Sequence, residues 1–127
     1  MASSFHNAIA AAQAAIRDAA GEVVTYHRGN AEVELTAGVG ATRVEVADDA
    51  GLQVTAEVRD FLVGVADLTF DGEPVEPDRG DLIRVHGETV EVYEVTPIGG
   101  EAHFRPSGTA GTTWRIHTRH IDTERPT

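Results

Sequence analysis

The stretch EPDRGDLIRVHGETVEVYEV, residues 76–95, decides how the rest of the chain is read. It contains the triplet Arg79-Gly80-Asp81, which in an exposed loop is a cell-adhesion string. It also contains two alternating runs, 82–86 and 89–95, separated by Gly87-Glu88. A two-residue turn with glycine first suits an antiparallel hairpin. In that register His86 faces Thr89, Val85 faces Val90, Arg84 faces Glu91, Ile83 faces Val92 and Leu82 faces Tyr93. Val85, Val90, Ile83 and Val92 then share a core face, and Arg84 pairs with Glu91 on the other. Pro77 presets a turn, Gly80 frees its exit, and Asp81 opens the strand. The triplet therefore reads as a joint between turn and strand. On this reading Asp81→Glu is nearly neutral, whereas a β-branched residue at position 80 is harmful.

Outward from the hairpin, the same two-residue period recurs. Strands are expected at 22–28, 31–37, 42–47, 52–63 and 113–121, with charges on one face and aliphatic residues on the other. Asp48-Asp49-Ala50-Gly51 reads as a turn, and 66–80 and 96–112 as irregular excursions rich in Gly, Pro and Thr. Residues 4–20 have a helical period instead, with Phe5, Ile9, Ala12 and Ile16 in one narrow stripe. That helix either covers its own domain or docks on a neighbouring subunit. The expected fold is mainly β: a small antiparallel barrel or sandwich of about seven strands behind an N-terminal helix over 3–20. The expected organisation is a single domain over 1–127, with the β unit at 22–121 and a polar tail at 122–127.

The 127 residues include no cysteine, which excludes disulfides, thiol chemistry and Cys-ligated zinc. No lysine is present, so a Walker-type loop and Schiff-base catalysis are excluded as well. The formal net charge of -11 makes a wrapped nucleic-acid binder a poor fit. No leader pattern or membrane-spanning run is read at the N-terminus, so a soluble intracellular protein is expected.

A catalytic set is hard to assemble. Ser107 lies in RPSGTAG without the strand-turn-helix context of a nucleophile elbow. His117 and His120 are three apart, which on a strand puts them on opposite faces and bars a shared metal. We expect no enzyme activity and no cofactor. On the last strand Trp114 and Ile116 should point inward and Arg115, His117 and Arg119 outward. This basic stripe pairs either with acids of its own sheet, such as Glu32, Glu34 or Glu57, or with the next subunit.

Several strings together carry a resemblance. They are Thr25-Tyr26-x-Arg28-Gly29, Arg59-Asp60-Phe61-Leu62 with Ala66-Asp67-Leu68, the joint from Pro77 to Ile83, Tyr93-Glu94-Val95 and Arg115-Ile116-His117-Thr118. In these the chain resembles the small head-tail joining, or head-closure, proteins of tailed phages and prophages. The resemblance implies a structural virion protein, made in the host cytoplasm and placed between portal or adaptor and tail. It implies a homo-oligomeric ring, six-fold by analogy. Double-stranded DNA would pass an acidic lumen without specific binding, and no membrane would be involved. A tail-terminator or other neck component is the alternative, and a non-viral β-sandwich binding module a more distant one. Candidate subunit or partner contacts are Phe5, Ile9 and Ile16 on the helix, Arg79 and Asp81 at the joint, His103, Phe104 and Arg105 in the second excursion, and Arg115 and Arg119 on the last strand.

Overall fold

A computed structural model of the chain describes residues 21–47, 50–107 and 111–125. The expected helix, with Phe5, Ile9 and Ile16, lies outside these residues, and no helix occurs among those described. The strands are β1 (Glu22–Arg28), β2 (Ala31–Ala47), β3 (Gln53–Gly64), β4 (Thr69–Phe70), β5 (Glu73–Pro74), β6 (Leu82–His86), β7 (Val90–Val95), β8 (Phe104–Ser107) and β9 (Thr113–Glu124). The sheet order is β3-β2-β1-β6-β7-β9-β8, and β3 also pairs with β9. That last pairing closes a six-stranded antiparallel barrel with β8 as an additional strand. Closure leaves no open edge in the barrel wall.

Most inward positions follow the two-residue period, but on β7 the core face carries Tyr93 and Val95 rather than the expected Val90 and Val92. Val24, Tyr26, Leu35, Ala37, Phe61, Val63, Ile83, Tyr93, Val95 and Ile116 form one buried cluster. Each large member contributes about 1.5–3 kcal/mol by leaving water. One end of the barrel is capped by the excursion between β3 and β6. Its Leu68 is fully buried, Phe70 and Val75 pack against the core, and the Phe70 and Tyr26 ring centroids are 6.2 Å apart. At the other end no comparable cap is formed among the described residues.

Three boundaries differ from the expectation. Residues 31–47 form one continuous strand, because Gly38 and Gly40 keep the ladder: they pair with Leu62 and Asp60. The expected polar tail contributes Asp122, Thr123 and Glu124 to β9, where they pair with Val92, Glu91 and Val90. The excursions contain β4, β5 and β8.

The hairpin register is displaced by one residue. His86 pairs with Val90, Val85 with Glu91, Arg84 with Val92, Ile83 with Tyr93 and Leu82 with Glu94. The turn therefore spans Gly87, Glu88 and Thr89, and the Gly87 amide donates to the Thr89 carbonyl. The reason lies across the barrel: β7 also pairs with β9, with an irregularity between Val92 and Tyr93. That irregularity lets consecutive residues Val92 and Tyr93 both be buried. Arg84 accordingly pairs with Glu124 at 3.1 Å instead of Glu91. Glu91 accepts bonds from the hydroxyls of Thr89 and Thr123 and contacts His120.

Gly80 has φ 89°, a conformation that disfavours side chains, although a Cβ there would meet open space. Gly80→Val is therefore expected to cost about 1–2 kcal/mol or more through backbone strain alone, read as a lower denaturation midpoint. His27 is held below its ordinary pKa, first by burial and then by Arg84. The unfolded chain thus binds more protons than the fold just below pH 6.5. Stability should fall as pH drops from about 7 to 5.5, and fall less in His27→Gln, in thermal unfolding across that range.

Candidate functional site

Two buried carboxylates anchor the barrel, and both lie in the strings that carry the resemblance. Asp81 is 5% exposed. It accepts hydrogen bonds from the Tyr26 hydroxyl at 2.5 Å, from Arg28 Nη2 at 2.8 Å and from the Asp78 amide at 2.9 Å. Arg28 also donates through Nη2 to the Glu76 carbonyl, 2.7 Å, and lies over the Phe70 ring. Burial and the adjoining Asp81 carboxylate push the Tyr26 hydroxyl well above its ordinary pKa, so it stays a donor. The cluster ties β1 to the turn before β6 beneath the capping excursion. Asp81 is thus an internal tie with its oxygens occupied, not an outward contact. On this geometry Asp81→Glu is expected to be costly rather than nearly neutral.

Asp60 on β3 and His117 on β9 are register partners, and both are fully buried. His117 Nδ1 lies 2.8 Å from Asp60 Oδ1, and facing a carboxylate it is the donor. Arg115 Nε donates to Asp60 Oδ2 at 2.7 Å, while its Nη2 reaches the Ala41 carbonyl at 3.2 Å. The guanidinium crosses β2 where Gly40 stands, because a Cβ there would come within 3.2 Å of Arg115 Nη2. The backbone of His117 donates to the His103 carbonyl and accepts from the Thr96 amide. So β8 continues the edge that β7 begins, and the segment between them arches over the His117 ring. Glu101 on that arch lies 3.9 Å from Nε2. An Asp–His pair can orient a general base. Here the imidazole is sealed, and Nε2 has no hydrogen-bond partner. The geometry suits a clamp joining β2, β3, β9 and the arch.

The sequence reading put His117 outward with solvent-facing arginines. It does lie on the outer face, but the arch buries it. His103 is also used internally: its Nε2 bonds the Pro77 carbonyl at 2.9 Å, and its ring packs on Phe104. Phe104 stacks edge-on with Trp114, centroids 5.1 Å apart. Arg105 is exposed and pairs with Glu101. Arg119 is exposed and pairs with Glu94 at 2.9 Å. Arg79 is exposed in the turn. Among the described candidates, Arg105 and Arg115 are register partners and His103 bonds the Pro77 carbonyl beside the Arg79 turn, whereas Arg119 lies further along β9. Among the described residues no group of three or more His, Cys, Asp and Glu is placed to hold a metal ion.

A concave surface lies elsewhere, at the end of the barrel away from the cap. A cleft of ≈ 670 Å³ is lined by Val39, Gly40, Ala41, Val58, Arg59, Tyr93, Thr118, Arg119 and His120. Tyr93 forms its floor, edge-on to Phe61 below and to His120 beside it. The Arg59 guanidinium lies 5.1 Å from the Tyr93 ring centroid. From this rim β2 and β3 run on as a two-stranded arm, Thr42 opposite Val58 out to Ala47 opposite Gln53. Sequence reasoning missed the cleft because its residues come from β2, β3, β7 and β9. The alternation at Arg59, which sits at an inward position beside Phe61, was the one available signal.

Asp81→Asn keeps the volume but removes the charge opposite Arg28, and should cost about 3 kcal/mol in chemical denaturation. Asp81→Glu should cost about 1–3 kcal/mol, because the longer side chain must fit a filled, fully bonded site. A midpoint unchanged by both substitutions would contradict the role of Asp81 as a tie.

No curated protein matches the chain. A family model described as phage head-tail joining protein matches residues 2–125. The chain thus belongs, over nearly its whole length, to the phage head-tail joining protein family.

Proposed function

We propose that this protein forms the closure, or stopper, ring between portal or adaptor and tail, and retains packaged DNA. Membership of the family makes it a component of the virion's head-tail connector, in contact with other virion proteins. The observation that carries the finer reading is the combination of a closed barrel with a projecting arm. Each of the six wall strands pairs on both sides, whereas among the described residues the arm beyond the rim and the outer edge of β8 have no strand partner. Such a body can pack beside copies of itself while the arm reaches along the connector axis.

The charge supports passage of DNA rather than its capture. With a net charge of -11, and with Glu32, Glu34, Glu73, Glu76 and Glu88 exposed, the surface repels a polyphosphate. A tail-terminator would share the small-β character. Particles from a phage lacking this gene separate the two. Closure predicts DNA-filled heads without tails that lose their genome, with rescue by the wild-type protein. Free tails of uncontrolled length beside stable full heads would instead assign termination.

A further inference from the structure

Both feet of the arch between β7 and β8 stand on His117, and its tip reaches the same residue. The Thr96 amide donates to the His117 carbonyl at 3.0 Å, and the His117 amide donates to the His103 carbonyl at 2.9 Å. Between these feet the Glu101 amide donates to the Ile98 carbonyl at 2.9 Å and closes a tight turn, with Gly99 at φ 55°. The turn hangs Glu101 over the His117 ring, with the carboxylate 3.9 Å from Nε2.

These two groups face each other without a bond, and their chemistry explains it. His117 donates its Nδ1 proton to Asp60, so in the neutral ring Nε2 carries a lone pair. A carboxylate is an acceptor only. Two acceptors cannot satisfy each other, and Nε2 is left as a buried nitrogen with no hydrogen-bond partner. One proton on Nε2 converts the contact into a charge-assisted hydrogen bond and leaves the Asp60 bond in place. Solvent can deliver that proton, because the Glu101 side chain is 44% exposed.

The other groups around the ring do not supply what Nε2 lacks. Asp60 from β3 and Arg115 from β9 meet on the Nδ1 side. From β2 come Gly40 and the Ala41 carbonyl, which Arg115 holds. Glu94 on β7 and Arg119 on β9 engage each other. On the arch, His103 turns its ring to the Pro77 carbonyl. Arg105 on β8 lies 3.5 Å from Glu101 and competes for it.

We propose that the arch is a proton-operated latch: a proton taken up at His117 Nε2 draws Glu101 from Arg105 onto the imidazolium and fastens the tip of the arch to the barrel wall. At higher pH the arch is held by its feet, and Glu101 belongs to Arg105. Closing the latch leaves Arg105, exposed on β8, without this carboxylate, so pH changes the charge that this face presents.

Residue-resolved nuclear magnetic resonance of the imidazole nitrogens, with amide hydrogen exchange of residues 98–102, tests the latch between about pH 8 and about pH 5. The neutral His117 ring should carry its proton on Nδ1. As Nε2 gains the second proton, exchange at the arch tip, corrected for its intrinsic pH dependence, should slow at least ~3-fold. Glu101→Gln keeps the shape and removes the charge. It should move His117 protonation to lower pH by about half a pH unit and abolish the slowing. Arg105→Gln removes the competitor and should move it to higher pH. Thermal unfolding within a few degrees of wild type shows that each variant is folded. A neutral ring protonated on Nε2, a ring that stays neutral until the chain unfolds, or one that titrates alike in wild type and Glu101→Gln overturns the proposal. So does exchange at the arch tip that is indifferent to His117 protonation.

Discussion

The structure depends on one buried carboxylate, Asp81. A charge removed from water is tolerable only when its bonds are filled, and here Tyr26, Arg28 and the Asp78 amide fill them. Those partners come from β1 and from the turn that precedes β6, so satisfying the charge dictates how the turn meets the barrel. The capping excursion follows, since Phe70 packs on Tyr26 and receives Arg28 over its ring. The Arg-Gly-Asp string is therefore the product of three separate demands. Arg79 faces solvent, Gly80 takes a positive φ, and Asp81 is the internal tie.

Asp60 makes the second tie by the same physics on the opposite side of the wall. Its partners His117 and Arg115 stand on β9, and β9 is the strand that closes the barrel against β3. A backbone ladder alone permits slippage by two residues with the same faces inward. A slip would strip Asp60 of its imidazole and guanidinium, so the charge cluster pins the closing register. The arch over His117 then allows β7 and β8 to share one edge of β9, which is how an extra strand joins a closed barrel.

With one end capped and charge-tied, the concave surface lies at the other. The cleft and the arm rising beside it differ from the closed wall in shape. The buried Asp–His pair, by contrast, serves cohesion, since the arch shields its imidazole from any substrate.

Much of the strand content was legible because it is local: alternation at 22–28 and 82–86 reflects which face meets water, and the structure has the same bounds. The strings Tyr26-x-Arg28 and Arg79-Gly80-Asp81 also carried the family resemblance. What they do to each other was not legible, because Tyr26 and Asp81 are separated by 55 residues and meet only when β1 pairs with β6. The hairpin register failed for the same reason. Turn chemistry at Gly87-Glu88 favours one alignment, but β7 must also match β9, and the second pairing prevails. By itself the sequence determined the β content, the acidic balance and the family. Tertiary structure alone decided barrel over sandwich, the burial of Asp81, Asp60 and His117, and the cleft beside the arm. Each of these is a contact between distant segments, whose energy is realised only once the barrel closes.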